Sequence, residues 1–455
     1  MEESSEGISP DTGQNCTTDR WDSVWLSRGT ALPALDLESQ LSSTSEAILK
    51  SYHFSMIFTL ADGFQEEAID NADPALANNL RNLKDHDIGV FAEATEFIGH
   101  GATFNVRRTL FGDSRDVVFK SRRADPGRDE DSTLMQKLEA ILLELRVLTH
   151  HPLRHHQNIV QLIQVGWEGD PLERAVKWPV LIVEYADRGT LADFFDNEEA
   201  VNYDGKQSLS LDIARGLQAL HNCQVVHGDL KLLNVLVFSR NDGGYNAKLS
   251  DFGGAILDSP QALLQPMGTR PWTAPEYRTN RSRQGLLQSD VYALGLLIWR
   301  IMLNGGDPFA DKTLFELPSG EKNLIDDAID DYKRSGAFLN KAKASISRYG
   351  KDLDCRAVSA VFDCSLQASP GERNLEAVIS CLSMPPPGLV NAPLIVVVAW
   401  LIRSSVKQLL LSAKAHVVDS RHKKRSPLRK TSKMKTASLQ YVECVLRQIS
   451  ANLLV

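Results

Sequence analysis

The stretch His227-Gly-Asp-Leu-Lys-Leu-Leu-Asn-Val-Leu-Val237 places an acid, a lysine and an amide in one short loop before an apolar, strand-like run. In this order, Asp229 would orient an acceptor hydroxyl and take its proton, while Lys231 would neutralise charge on a transferred phosphoryl group. Asn234 would hold a metal ion that bridges nucleotide phosphates. Phosphoryl transfer depends mainly on fixed positions and charge stabilisation, which a tight loop supplies. The stretch therefore predicts a phosphotransferase.

This loop resembles the catalytic loop of protein kinases, with Gly228 where most of them have arginine. The same letters also resemble kinases that phosphorylate small molecules, such as the aminoglycoside and choline kinases. The loop alone therefore leaves the substrate open, and the flanking motifs have to decide.

A glycine-containing hairpin is predicted upstream, where short strand-like runs cover 96–99, 105–110 and 117–120. Gly99 and Gly101 let the backbone come close to phosphates, and the resemblance implies that Val106 rests on the adenine. Phe104 stands where the third glycine of the kinase loop usually lies, which predicts a less flexible cover. An ordinary hairpin turn is the alternative interpretation.

The third run, 117–120, resembles the kinase strand Val-Ala-Ile-Lys, with Val118 in the alanine place. A helix is predicted over 133–149. The resemblance implies that Glu144 of this helix pairs with Lys120, which in turn grips the α- and β-phosphates. Glu139 on the same helix is the competing candidate, and the order of the motifs that follow favours Glu144.

The apolar run 180–185 leads into Ala186 and resembles the strand and hinge between the two kinase lobes. The resemblance implies that backbone groups of Glu184 and Ala186 bond the adenine edge, and that Leu236, just after the catalytic loop, completes the nucleotide site. A long helix is predicted over 208–221.

Asp251-Phe252-Gly253 follows Asn234 by seventeen residues and resembles the kinase Asp-Phe-Gly motif. The resemblance implies that Asp251 is a second magnesium ligand, because a hard cation between phosphates prefers carboxylate oxygen. Phe252 is expected to pack beside His227.

Residues 268–276 read Gly-Thr-Arg-Pro-Trp-Thr-Ala-Pro-Glu and resemble the end of a protein-kinase activation segment, which small-molecule kinases lack. The resemblance implies that Thr269 braces Asp229 and Lys231, which favours serine or threonine as the acceptor. Trp272 and Thr273 are similar to tyrosine kinases and leave that alternative open.

Three further positions complete the resemblance. Asp290 lies in an apolar helix and is expected to bond the backbone of the catalytic loop, because a buried carboxylate needs partners. Arg373 is expected to pair with Glu276, nearly a hundred positions away. The arginine that Gly228 replaces binds an activation-segment phosphate in the family, so its absence favours basal activity or control by a partner.

The composition is that of a globular protein with a sizeable core, since 43% of the 455 residues are hydrophobic and 24% are charged. Sixteen acids and five Lys or Arg precede Val90, whereas twelve Lys or Arg and two acids follow Leu382. This balance argues against specific nucleic-acid binding by the body of the protein. Six scattered cysteines favour reduced thiols in the cytoplasm, and the basic tail leaves the nucleus as an alternative.

The chain divides into five predicted regions. These are a disordered acidic and Ser/Thr-rich N-terminus (1–44), a helical extension (45–90), a smaller β-rich lobe (91–185), a larger helical lobe (186–382) and a basic tail (383–455). The apolar part of the tail is shorter than the ~20 residues of a membrane helix. Residues 389–402 are therefore interpreted as a docking or amphipathic segment in preference to a transmembrane anchor, the basic run that follows is expected to be solvated and disordered, and a membrane contact through 389–435 is not favoured.

The motifs together predict an α+β, bilobal protein-kinase-like fold with one major helix in the smaller lobe and ATP and Mg²⁺ between the lobes. The predicted activity is phosphoryl transfer to Ser/Thr hydroxyls of protein substrates. A pseudokinase that binds nucleotide or partners without efficient transfer is the first alternative, drawn from Phe104, Val118 and Gly228. A small-molecule kinase is the second, and residues 268–276 disfavour it.

Overall fold

The computed structural model describes most of the predicted lobes. The described residues are 52–71, 95–101, 103–111, 115–123, 131–169, 177–197, 201–257, 268–277, 279, 282–311, 313–318, 320–348 and 355–384. All of them lie within one compact unit of the chain, Met1–Met384. Three predictions lie outside them: the N-terminal region 1–44, residues 45–51 and 72–90 of the helical extension, and the tail beyond residue 384 with its segment 389–435.

The smaller lobe is built on a five-stranded antiparallel sheet with strand order β1-β2-β3-β5-β4. Its elements are α1 (Tyr52–Asn71), β1 (Glu96–His100), β2 (Phe104–Phe111), β3 (Arg115–Arg122), α2 (Asp131–Thr149), β4 (Leu162–Gly169) and β5 (Lys177–Glu184). The centre of β3 is Val117-Val118-Phe119, and all three side chains are buried. β-branched and aromatic residues suit such a pleated, covered surface.

The register of β2 and β3 decides which side chains face the cleft. Val106 lies opposite Lys120, and Phe104 lies opposite Arg122. Because side chains alternate along a strand and directly opposed residues share a face, Phe104, Val106, Val118 and Lys120 all lie on one face of the sheet. This face carries the predicted nucleotide residues.

The larger lobe is mainly helical. Its elements are α3 (Leu191–Asn197), α4 (Tyr203–Asn222), β6 (Val235–Ser239), β7 (Tyr245–Leu249), α5 (Arg283–Met302), α6 (Lys322–Arg334), α7 (Phe338–Arg348), α8 (Cys355–Ser365) and α9 (Leu375–Leu382). β6 and β7 form a two-stranded antiparallel hairpin directly after the catalytic loop. The hairpin thus continues the apolar run that the sequence places after Asn234.

Helix α5 is the centre of the larger lobe, because sixteen of its twenty residues are buried. A helix that is apolar around most of its circumference has to be surrounded by other elements. Ser282 caps its start by accepting the N–H of Gly285. A Cβ atom at Gly295 would lie 2.5 Å from Ser365 Oγ, so glycine permits the close approach of α5 and α8.

The predicted α+β, bilobal fold is confirmed. Most element bounds lie within a few residues of their predicted positions, but the helix expected over 208–221 begins earlier, at Tyr203. The reason is Asn202, whose side chain accepts the Gly205 N–H and caps the longer helix. Among the described helices, none is both long and apolar enough to cross a membrane.

Candidate active site

The backbone of the catalytic loop is held by a buried aspartate of α5. Asp290 Oδ2 accepts the N–H of His227 (2.8 Å), and Oδ1 accepts the N–H of Gly228 (3.0 Å). Gly228 has a φ of 80°, a conformation that glycine adopts without strain. Tyr277 donates its hydroxyl to the Gly228 carbonyl (3.1 Å), and burial raises the pKa of Tyr277, so this donor stays protonated.

The Asp229 carboxylate has a partner on each oxygen. Oδ2 accepts from Lys231 Nζ (2.5 Å) and Asn234 Nδ2 (3.1 Å), while Oδ1 accepts from the hydroxyl (2.8 Å) and the N–H (3.1 Å) of Thr269. Burial raises the pKa of Asp229, but the hydrogen bonds from Lys231 and Thr269 outweigh it and leave the pKa below its ordinary value. The carboxylate is therefore ionised at neutral pH.

Thr269 links the activation segment to this loop. Its hydroxyl donates to Asp229 and accepts from Lys231 Nζ at 3.0 Å, so both roles of the hydroxyl are used. The bracing contact that the resemblance implies for this threonine is present in the structure.

Asn234 lies beside this carboxylate, and its backbone carbonyl accepts the N–H of Ser250, the residue before Asp251. The Asn234 amide nitrogen donates to Asp229 O (2.8 Å) and Oδ2, which leaves its side-chain carbonyl oxygen for another partner. Asp251 is exposed and has a φ of 64°, a left-handed conformation that aspartate tolerates better than most residues. Phe252 after it is fully buried, with its ring centroid 5.4 Å from that of His227, as expected.

The oxygen donors of Asn234 and Asp251 suit a hard cation such as Mg²⁺. The described residues contain no group of three or more His, Cys, Asp or Glu side chains that could hold a metal by themselves. A magnesium ion at this place would therefore draw its remaining ligands from phosphate oxygens and water, which is how this ion is commonly held.

On the smaller-lobe side, Lys120 of β3 contacts Glu144 of α2 directly. The Glu144 side chain is fully buried, and burial raises its pKa more than the Lys120 ammonium lowers it. Asp251 also raises the pKa of Glu144, so all three charges lie in one neighbourhood. Glu139, the competing candidate, is exposed.

Phe104, which stands where kinases usually have a third glycine, is a buried and fixed residue of β2. Its side chain is 3% exposed, and Lys120 Nζ lies 4.5 Å from the centre of its ring, a cation–π geometry. The Phe104 carbonyl accepts the N–H of Gly101 at 2.8 Å, which closes the turn between β1 and β2. Sequence reasoning missed the ring contact with Lys120, although the alternation of Phe104 and Val106 along β2 indicates it.

The glycine turn itself is open. Within the described residues, a Cβ atom built at Gly99 or Gly101 would have no atom within 4 Å. The turn therefore leaves room for a ligand to approach the backbone. Val106 and Leu236 are half-buried and pack against the core, one from each lobe.

Two of the backbone groups of Glu184 and Ala186 in the hinge are bonded within the protein. The Glu184 N–H donates to the Gln161 carbonyl (3.1 Å), and the Ala186 carbonyl accepts the N–H of Gly189 (3.1 Å). These two groups are engaged inside the protein, which narrows the expected adenine contacts to the Glu184 carbonyl and the Ala186 N–H. The Glu184 side chain is also engaged, with Lys248 Nζ at 2.6 Å.

An ion pair between Arg373 and Glu276 holds the end of the activation segment against the larger lobe. Arg373 donates to both carboxylate oxygens of Glu276, at 2.6 and 2.9 Å, as the resemblance implies. Ser289 of α5 donates to the same carboxylate at 2.9 Å. The Arg373 side chain is fully buried, so it is an interior support of the segment.

Lys333 of α6 is a second support, and sequence reasoning missed it. Its buried ammonium donates to the carbonyls of Pro271 and Thr273 (2.7 Å) in the activation segment. Burial lowers the pKa of Lys333 to about 8. The available signal was helical spacing, since Lys333 follows Ile329 by four residues and so lies on the apolar face of α6.

The bilobal fold and this loop geometry define a protein of the kinase class. A sequence model of the family described as protein kinase domain matches residues 92–354. The chain belongs to the protein kinase domain family.

Three relatives from Arabidopsis thaliana illustrate the similarity. The chain is 29% identical over 278 residues to probable serine/threonine-protein kinase PBL26, with 58% of this chain and 62% of the relative covered. It is 35% identical over 182 residues to probable serine/threonine-protein kinase PBL4 (38% and 40% covered) and 30% identical over 224 residues to serine/threonine-protein kinase PBS1 (46% and 44% covered). The chain thus spans less than two thirds of each of these relatives.

Proposed function

We propose that the protein transfers the terminal phosphoryl group of ATP to serine or threonine hydroxyls of protein substrates, with Mg²⁺ as the metal. The observation that carries the proposal is the Asp229 carboxylate, which is ionised and held on both oxygens by Lys231, Asn234 and Thr269. A base for an incoming hydroxyl needs this combination of charge and fixed position.

In this proposal Asp229 accepts the proton of the acceptor hydroxyl. Lys231, 2.5 Å from that carboxylate, stands beside the same position and stabilises negative charge on the phosphoryl group. Both groups act from one loop, so the acceptor oxygen and the transferred group are aligned by the same backbone.

Lys120 binds the α- and β-phosphates, and Glu144 holds Lys120 in place. Asn234 and Asp251 would coordinate Mg²⁺, which neutralises phosphate charge when it is bound. The remaining nucleotide-binding positions enclose the adenine and the phosphates, and they are Gly99, Gly101, Val106, Glu184, Ala186 and Leu236.

Two observations support a protein acceptor with a Ser/Thr hydroxyl. The three relatives are named as serine/threonine-protein kinases. In addition, the activation segment is anchored to α5 through Glu276 and to α6 through Lys333. A segment held in this way can bind an extended substrate next to Asp229. A cytoplasmic location is proposed with this activity, because another relative is named as a receptor-like cytoplasmic kinase.

The activity is proposed to be independent of activation-segment phosphorylation. Gly228 offers no side chain to bind a phosphate, and its backbone is already held by Asp290 and Tyr277. Treatment of the purified protein with a phosphatase should leave the rate of transfer unchanged. A loss of transfer after this treatment would contradict the proposal.

The test of the function is transfer of radiolabelled phosphate from ATP to a generic protein substrate, followed by acid hydrolysis to identify the labelled amino acid. Label on serine and threonine is expected for the full chain and should vanish in Asp229→Ala. Asp331→Asn, which alters a carboxylate that is 76% exposed on α6, is the matched control and should keep the label. Nucleotide binding without transfer in the wild-type protein would favour a pseudokinase instead.

A further inference from the structure

Helix α2 is buried on two opposite sides. Glu144 faces Lys120 and is fully buried, whereas Leu142 is only 3% exposed. Two residues on a helix are separated by about 200° of rotation, because each residue turns the chain by about 100°. The sheet covers the Glu144 side, so another element has to cover the other side.

Helix α1 packs more extensively against α2 than any other described helix or strand does. The side chains that α1 buries follow helical spacing and belong to the same hydrophobic cluster as α2. They are Phe54, Ile57, Leu60, Ala61 and Phe64, and Met56 is buried beside them. Helix α2 therefore lies between the sheet and α1.

Helix α1 is also fastened to β4. The rings of Phe54 and Phe58 lie 6.0 and 5.6 Å from the ring of Trp167. Gln65 is buried and donates its amide to the Val165 carbonyl. Since β4 belongs to the sheet, α1 connects the back of α2 to the sheet that carries Lys120.

Polar contacts join α1 to the C-terminal end of α2 and to the loop that follows it. Tyr52 at the start of α1 receives a hydrogen bond from Arg146 in the last turn of α2 (3.2 Å). Glu67, near the other end, pairs with Arg154 in the loop after α2 (2.9 Å). The Arg154 side chain is 8% exposed and the Glu67 side chain 30%, so this ion pair is partly shielded from solvent.

We propose that α1 is a built-in positioning element: it holds α2 against the sheet so that Glu144 stays on Lys120 and the nucleotide grip is permanently assembled. This inference rests on the proposed function. Keeping the Glu144 carboxylate buried is unfavourable, because a charged group loses its hydration in the interior of a protein. The packing of α1 on the back of α2 opposes the outward movement that would relieve this burial.

The positioning role predicts that loosening α1 weakens nucleotide binding through Glu144. Ile57→Ala trims a fully buried side chain of α1, and it should raise the Kd for ATP in the presence of Mg²⁺ about threefold to tenfold, the size typical of coupling between packed neighbours. In a Glu144→Gln background the same change should have no further effect, because the ion pair that α1 supports is already lost. Asp70→Ala, which trims an exposed side chain of α1, is the matched control and should leave the Kd unchanged.

A charge exchange provides an independent test if Ile57→Ala does not fold. Glu67→Arg should raise the Kd for ATP, and the double variant Glu67→Arg/Arg154→Glu should restore it. Equal increases in the presence and absence of Glu144, or failure of the exchange to restore binding, would overturn the inference and leave α1 with a stabilising role only. Because fluorescence titration with ATP reads binding alone, a lack of phosphate transfer would contradict the proposed function without deciding this test.

Discussion

The two halves of the candidate site are held by different forces. In the larger lobe, Asp229 is surrounded by hydrogen bonds from its own loop and from Thr269, and the loop backbone is bonded to Asp290. In the smaller lobe, Lys120 and Glu144 come from a strand and a helix that are kept together mainly by apolar packing. Hydrogen bonds hold the larger-lobe half of the site together, and apolar packing between a strand and a helix holds the smaller-lobe half together.

This difference determines how each half should fail. Removal of one partner from a buried polar network leaves another group unsatisfied, which costs a discrete amount of free energy. Trimming an apolar contact has a graded effect, because the surroundings relax in part. Changes in the larger lobe should therefore abolish a function outright, while changes in the smaller lobe should adjust nucleotide affinity.

The largest effect is expected for Asp229→Asn. An amide cannot accept the proton of the hydroxyl, so kcat should fall by about 10²–10⁴-fold, the range typical of a lost general base. The Kd for ATP should stay unchanged, because Lys120 and Glu144 are untouched. Steady-state transfer rates and nucleotide titration of the same preparation check both statements. An equal loss in both would show that the two halves are not held separately.

Next in size is the loss of the buried ion pair below the activation segment. Arg373→Leu should lower the free energy of unfolding by about 3–5 kcal/mol, because Glu276 keeps its charge without its main partner. Ile57→Val in α1 should cost only about 0.5–1.5 kcal/mol. Urea unfolding compares the two.

Arg373→Leu/Glu276→Gln is the control for this ion pair. Removal of both charges should be milder than removal of one, because no carboxylate is then left without its partner. A double variant as unstable as the single one would mean that Arg373 acts through its packing and its bonds to backbone carbonyls, and the polar part of the comparison would be wrong at this position.

A smaller effect is expected for Thr269→Val, which keeps the shape and removes the hydroxyl that joins Asp229 to Lys231. A hydrogen bond to a charged group is worth about 1.5–3 kcal/mol, so kcat should fall about tenfold to a hundredfold. Thr269→Ser keeps the hydroxyl and should retain most of the rate. If the serine and valine variants were equally slow, the methyl group and not the hydroxyl would be the important part.

Much of the larger-lobe half could be predicted from the sequence, because its groups lie close together in the chain. Asp229, Lys231 and Asn234 fall within six residues, and the loop brings them together whatever the rest of the protein does. The long-range pair of Arg373 and Glu276 was predictable only through the resemblance. Nothing local to either residue indicates the other.

The parts that could not be predicted depend on packing between elements. The apolar residues of α1 have ordinary helical spacing, which predicts a helix with one buried face. The spacing does not indicate that this face packs against α2. Backbone groups of Glu184 were expected to bond the adenine edge, and only the fold shows that the Gln161 carbonyl accepts the Glu184 N–H. Lysine is usually a surface residue, so the sequence does not indicate that Lys333 is buried. Its ammonium group is stabilised in the interior by hydrogen bonds to carbonyls of the activation segment.

The pH dependence of stability measures how much the burial of Lys333 destabilises the folded protein. Burial lowers its pKa to about 8 in the folded protein, whereas an unfolded lysine titrates near 10.4. Between these two values the unfolded state binds more protons than the folded state, so this group makes stability rise with pH. The rise should amount to about 1 kcal/mol between pH 8 and pH 9.

Other groups also titrate in this range, so the measurement is the difference between the wild-type protein and Lys333→Met at each pH. Below pH 8 the wild type carries the full penalty of a buried ammonium, and the gap between the two proteins should change by about 1 kcal/mol in favour of the wild type on going to pH 9. Lys343→Met, in which a half-buried lysine on α7 is replaced, should show no such change. A gap that is constant with pH would mean that the bonds to Pro271, Thr273 and Asp330 keep Lys333 charged at no net cost, and that the larger lobe does not sacrifice stability for its fixed geometry.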